Sequence, residues 1–188
     1  KPHVDNMIME TYSDDPKTAD PDGLQAQVVV SNPYIPSYKL TSTPNTFYWW
    51  YLDLIKSAKS FITICNAYIT LGKWRTDDPT DYQSAIYYAY IDALNRGINV
   101  TWVDLSYDQK ECQDQVIAQF SKYKKFTRLP WDYYNNIGCS GQTSCAFFHD
   151  KLYISDSKAY IGGQNTSGSS SIDFGISFPS TSPMYGDI

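Results

Sequence analysis

A helix that halts at a glycine and passes straight into a β-branched strand leaves a chain few folds to choose from. Here Asp81 to Asn95 has the spacing of a helix, Arg96-Gly97 stops it, and Ile98 to Leu105 (INVTWVDL) reads as a strand. The same grammar occurs upstream. Thr43 caps and Pro44 opens a helix with apolar residues at Phe47, Trp50, Tyr51, Leu54, Ile55 and Ala58, and the apolar run Phe61 to Leu71 (FITICNAYITL) follows as a buried strand. Before these comes a strand over Gln25 to Ser31. After them come a third helix over about Asp108 to Tyr123 and a short extended piece at Phe126 to Leu129. Ala146 to Ile154 and Ala159 to Gly162 flank a Ser155-Asp156-Ser157-Lys158 turn, and Ile172 to Phe178 gives the last strand. The order β-α-β-α-β-α-β-β-β predicts an α/β sandwich, a mixed β-sheet flanked by helices. It divides the chain into an acidic arm (1–24), one domain (25–178) and a C-terminal linker or cleavage region (179–188).

At 188 residues and 42% hydrophobic, the chain suits one domain with a sizeable core. A net charge of -5 excludes a surface-wide basic footprint for nucleic acid, so an anionic ligand needs a focused site. Aromatic residues are abundant (Tyr 17, Phe 8, Trp 5), which suits a binding cleft or a tyrosine-rich exterior. Trp74, Trp131, Tyr133 and Tyr134 are candidates for stacking on single-stranded bases, with packing as the plain alternative.

Four cysteines are present. Cys139 and Cys145 bracket a short polar loop that a disulfide would close, implying an oxidising compartment. Cys65 reads as a buried thiol, and Cys112 falls in a helix. No CxxC pair suggests structural zinc, and no apolar run reaches the length of a membrane span. Lys1 follows a processed leader or starts mid-protein. Asn99 and Asn165 each open a glycosylation sequon, the second set aside below.

Of the two histidines, His3 lies in the polar arm and draws no chemistry. His149 precedes Lys151 by two residues within a strand pattern, which puts both on one face. Asp156 follows at the turn, and Gly162-Gly163-Gln164-Asn165 ends the returning strand. Lysine suits non-bridging phosphate oxygens, an amide donor suits charge developing on them, and imidazole serves as nucleophile or acid. The glycines allow close backbone approach to a ligand. An amphipathic strand with no chemistry is the competing reading.

The pattern His149-x-Lys151 with Asp156, then Gly162, Gly163 and Asn165, resembles the signature of the phospholipase D superfamily. Asp173 falls where that family places an acidic residue that orients the catalytic histidine, there more usually Glu. Gly163 stands where many members have Ser, and the spacer after Asp156 is slightly short. The likeness covers residues 25 to 178 and is nearest to N-terminal halves of the lysosomal and secreted branch. It implies a metal-independent, cofactor-free phosphodiesterase. His149 attacks phosphorus, Lys151 and Asn165 hold its oxygens, and Asp156 has a chiefly structural or electrostatic part. A glycan on Asn165 would block that site.

The family's active site needs two His-x-Lys motifs, and this chain holds one. The resemblance therefore implies a partner: the C-terminal half of one precursor or a homodimer mate. The substrate class is nucleic acid or phospholipid, and the location secreted or lysosomal. The rival expectation is a non-catalytic structural protein that kept the fold.

Overall fold

The computed structural model describes residues 26–31, 46–67, 69, 71, 82–105, 110–131, 151–166 and 173–188. Its elements are β1 (Gln27–Ser31), α1 (Thr46–Ser57), β2 (Phe61–Asn66), α2 (Tyr82–Asn95), β3 (Asn99–Leu105), α3 (Lys110–Phe120), β4 (Phe126–Trp131), β5 (Lys151–Ser155), β6 (Lys158–Gly162), β7 (Asp173–Pro179) and a 3₁₀ turn, Pro183–Asp187. The strands form one mixed sheet in the order β1-β7-β6-β5-β2-β3-β4. β2, β3 and β4 run parallel, while β5, β6, β7 and β1 join antiparallel. The α/β architecture with a mixed sheet is thus what the sequence forms.

Gly97 ends α2 as expected, and the geometry says why. Its φ of 82° lies in the left-handed region, Ile98 N–H donates to Ala93 C=O at 3.0 Å, and Gly97 N–H to Leu94 C=O at 3.0 Å. That pair of bonds satisfies orphan helix carbonyls and turns the chain into β3. The Thr43 cap and Pro44 lie outside the described residues, as does the 1–24 arm.

Three expectations change. The extended piece at Phe126 is a full strand, paired in parallel with β3 from Val100↔Phe126 to Leu105↔Trp131. It escaped recognition because Pro130 argues against a strand, yet proline is tolerated at a sheet edge, where β4 lies. β2 ends at Asn66, so the apolar run to Leu71 is only half strand. The tyrosines go inward: Tyr48, Tyr51, Tyr87, Tyr90, Tyr153 and Tyr160 are all buried.

That inward packing builds the core. Phe47 and Tyr51 of α1 lie 5.3 and 5.0 Å from the Tyr153 ring, and Trp50 lies 5.2 Å from Tyr160. Tyr90 of α2 and Phe120 of α3 meet Trp102 of β3 at 5.4 and 5.3 Å. The three helices therefore cover one face of the sheet. The buried hydroxyls of Tyr51 and Tyr90 hydrogen-bond one another at 2.6 Å. The C-terminal residues also pack on the domain, with the Tyr185 hydroxyl donating to Ser155 C=O.

Candidate active site

Antiparallel pairing brings the carboxyl end of β2, the amino end of β5, the carboxyl end of β6 and the amino end of β7 to one edge of the sheet. This is where α/β sheets hold ligands. Burial alternates along β5, so Lys151, Tyr153 and Ser155 face the helices. Lys151 stands directly across from Asn66. One step beyond the Leu152↔Ile161 pair, its other neighbour is Gly162, which pairs with Gly175. One step beyond the Cys65↔Val103 pair, Asn66 neighbours Asp104. A transverse row thus runs Asp104, Asn66, Lys151, Gly162, Gly175 across the helix-covered face. Asp104 and Asn66 are fully buried, and Lys151 is only 6% exposed.

Arg128 of β4 clamps Asp104 with a fork, Nε to Oδ1 at 2.9 Å and a terminal nitrogen to Oδ2 at 3.1 Å. That bidentate pairing neutralises the buried carboxylate two strands from the lysine.

The chain leaving β6 forms the opposite wall. Gly163 N–H donates to Phe174 C=O at 3.1 Å, and an Asp173 carboxylate oxygen lies 3.3 Å from where a Gly163 Cβ would sit. A methyl group on either Gly162 or Gly175 would run into the Tyr160 ring. The glycine pair therefore makes room for that tyrosine, whose hydroxyl reaches the loop. Burial, with the Asp173 charge adding, pushes the Tyr160 hydroxyl up to about 12 against an opposing hydrogen bond from the Gln164 backbone. Burial likewise holds the Tyr153 hydroxyl well above its usual range, against a hydrogen bond from Asn66. Both stay protonated across physiological pH. The Asn165 side-chain oxygen is buried with no hydrogen-bond partner among the described residues. That oxygen can only accept, so a phosphoryl oxygen would have to be held by the Asn165 side-chain N–H.

The structure thus brings together Lys151, Gly162, Gly163, Asn165 and Asp173, and sets Asp156 apart. Asp156 sits five strand positions from Lys151, about 17 Å away at the far end of β5. Its carboxylate accepts Lys59 N–H through both oxygens at 3.0 and 3.1 Å, closing the turn between α1 and β2. Its part is structural, and the distance removes it from contact chemistry at the edge. His149, Cys139 and Cys145 lie outside the described residues, as do Trp74, Tyr133, Tyr134 and the side chains of Trp131 and Cys112. Cys65 is a half-buried thiol. Among the described residues no three His, Cys, Asp or Glu side chains gather to hold a metal, and no helix is long and apolar enough to cross a membrane.

Asn66, Tyr153, Tyr160 and the Asp104–Arg128 pair were not singled out from the sequence. The one available signal was a polar Asn66 and a charged Asp104 at the ends of otherwise apolar strands.

The fold has solved relatives. A phospholipase D family member, Nuc from Salmonella typhimurium, is similar over 87% of this chain and 87% of its own, with TM-score 0.56 and 16% identity. NucT from Helicobacter pylori matches 87% of this chain and 91% of its own, with TM-score 0.53 and 13% identity. Phosphatidylserine synthase of Haemophilus influenzae matches 88% of this chain but 37% of its own, with TM-score 0.57 and 10% identity. No curated protein matches the sequence significantly. The family described as "Cardiolipin synthase, PLD-like domain" matches residues 51–173, from the middle of α1 to the start of β7. With most of its length inside that match, the chain belongs to the phospholipase D-like domain family of the phospholipase D superfamily.

Proposed function

We propose that this domain is one half of a phosphodiesterase that works through a phosphohistidine. The observation that carries the reading is the burial of Lys151, at 6% exposure, in a ligand-binding edge beside the Asn165 loop. A compact ammonium charge in a largely water-excluded site suits the non-bridging oxygens of a phosphate. A phosphodiester monoanion offers two such oxygens, which Lys151 and the Asn165 side-chain N–H would hold.

In the first step a ring nitrogen of His149 attacks phosphorus and the bond to the leaving oxygen breaks. A second histidine, from another half, gives that oxygen its proton. In the second step the same histidine takes a proton from water. The hydroxide attacks phosphorus, and the P–N bond breaks to return His149. Domains of this fold generally work as a dimer or with a second half, which supplies the missing histidine. The substrate is a phosphodiester of nucleic acid or phospholipid, and the location we propose is secreted or lysosomal.

The test is hydrolysis of bis-p-nitrophenyl phosphate by wild type and His149→Ala. A loss of at least about 10³-fold in the variant is expected, as for removal of a nucleophile. Equal rates reject the reading. Single-stranded DNA, RNA and phosphatidylcholine vesicles then fix the substrate.

A further inference from the structure

Gln164 is fully buried, and its carbonyl is held by two donors. Its C=O accepts the Tyr153 hydroxyl at 2.9 Å and the Asn66 amide at 3.4 Å. The Asn66 amide also donates to the Tyr153 oxygen at 2.6 Å, tying the two donors together. On the other side, the Tyr160 ring and hydroxyl lie against Gly162 and Gly175, where the loop to Asn165 begins. The Gln164 side chain then donates to Asn165 C=O at 2.9 Å. Tyr153 thus pins the Gln164 carbonyl while Tyr160 packs against the glycines that open the loop, the two tyrosines being direct cross-strand partners.

Two consequences follow from covalent geometry. The peptide plane joining Gln164 to Asn165 is fixed by its clamped oxygen, which sets the Asn165 Cα and the origin of its side chain. Asn66 moreover serves both walls of the site, pairing with Lys151 through the sheet and with the loop through its amide.

We infer that Asn66, Tyr153 and Tyr160 are positioning residues that fix Asn165 relative to Lys151 for the phosphoryl group. This rests on the phosphodiesterase reading and extends it to residues that touch no substrate. The hydroxyls belong to the function and the rings to the fold, because the rings pack on Phe47, Trp50 and Tyr51 whether or not an oxygen is present.

The experiment is a double-mutant cycle on bis-p-nitrophenyl phosphate hydrolysis by the full chain. Tyr153→Phe and Tyr160→Phe should each lower kcat about tenfold or more, the scale of a misplaced transition-state donor, with KM within about twofold. In an Asn165→Ala background the same substitutions should change kcat by less than about twofold, because the group they place is gone. Tyr90→Phe, which removes a buried hydroxyl bonded to Tyr51 instead, should leave kcat unchanged. The same kcat loss with and without Asn165, or no loss from either Phe variant in an active enzyme, overturns the positioning role alone. Wild type no faster than His149→Ala overturns the phosphodiesterase reading and the positioning role together.

Discussion

Arg128 makes no approach to the edge where Lys151 lies, yet its replacement should weaken substrate binding. Its guanidinium cancels the charge of Asp104, which is fully buried and two strands from Lys151 in the transverse row. Two interstrand spacings put the Cα atoms about 10 Å apart. In Arg128→Gln the carboxylate loses the guanidinium charge and faces any anion bound at Lys151. Over 10 Å two unit charges repel by about 1.7 kcal/mol at an effective dielectric of 20, and by about 0.4 kcal/mol at 80. KM for bis-p-nitrophenyl phosphate should therefore rise between about twofold and twentyfold, with kcat much less affected. Removing the guanidinium from a buried ion pair also costs stability. With the Arg128 side chain 24% exposed, the low end of the range, about 3 kcal/mol, applies, and Tm should fall by roughly 6 to 12 °C. Arg128→Lys separates the two effects, keeping the charge but losing the fork, so KM should hold while Tm falls. The measurements are Michaelis–Menten kinetics and calorimetry below each variant's Tm. A wild-type KM in Arg128→Gln, with Tm lowered, would refute the claim that this pair shields the site.

Asp156→Asn keeps the shape but weakens the bond to Lys59 N–H, so Tm should drop by about 2 to 4 °C, the equivalent of about 1 kcal/mol, with kcat unchanged; a collapse of kcat in a folded variant would return Asp156 to the catalytic machinery. Gly175→Ala drives a methyl into the Tyr160 ring and should destabilise by about 1–3 kcal/mol in urea melts, whereas Gly186→Ala, which meets nothing within 4 Å, should cost a small fraction of that. Stability should also fall steeply above pH 10. Tyr153 and Tyr160 are raised in the folded chain, so below pH 10 both states keep their protons. Above it the unfolded chain ionises first and is favoured, with the Tyr160 share fully lost once pH passes about 12. Absorbance at 295 nm should show these tyrosines ionising only as far-UV dichroism is lost, and reversible titration of every tyrosine near pH 10 with the fold intact would contradict this.

What could be read in advance follows from how far apart the interacting residues lie in the chain. Gly97 acts on its own neighbours, so the end of α2 and the entry to β3 were legible from a few letters. Lys151 and Asn165 were legible because both fall in one short stretch whose spacing is characteristic. Asn66 was not, because its partners Tyr153 and Gln164 are 87 and 98 residues away and are reached only through the β2–β5 pairing. Arg128 was hidden twice over, by a strand that Pro130 disguised and by a partner 24 residues upstream. The tyrosine count misled for a physical reason. Phenol rings are as apt for a core as for a surface once each hydroxyl has a partner, and composition cannot reveal whether it has one.

Gly163 and Asp173 show how a sequence pattern can overstate divergence. Read along the chain they are two separate departures, a lost serine and an acidic residue shortened by a methylene. In the structure they are neighbours: an Asp173 carboxylate oxygen lies 3.3 Å from where a Cβ on residue 163 would sit, a tight approach. A short acid can approach the turn because the turn carries no Cβ, and a bare turn stays packed because the acid lies against it. The two changes are thus one local repacking, held in register by the bond from Gly163 N–H to Phe174 C=O immediately beside Asp173. Each substitution judged alone argues for decay of the site. Judged as a contact, the pair keeps a carboxylate beside the glycine turn, against the loop whose next residues are Gln164 and Asn165.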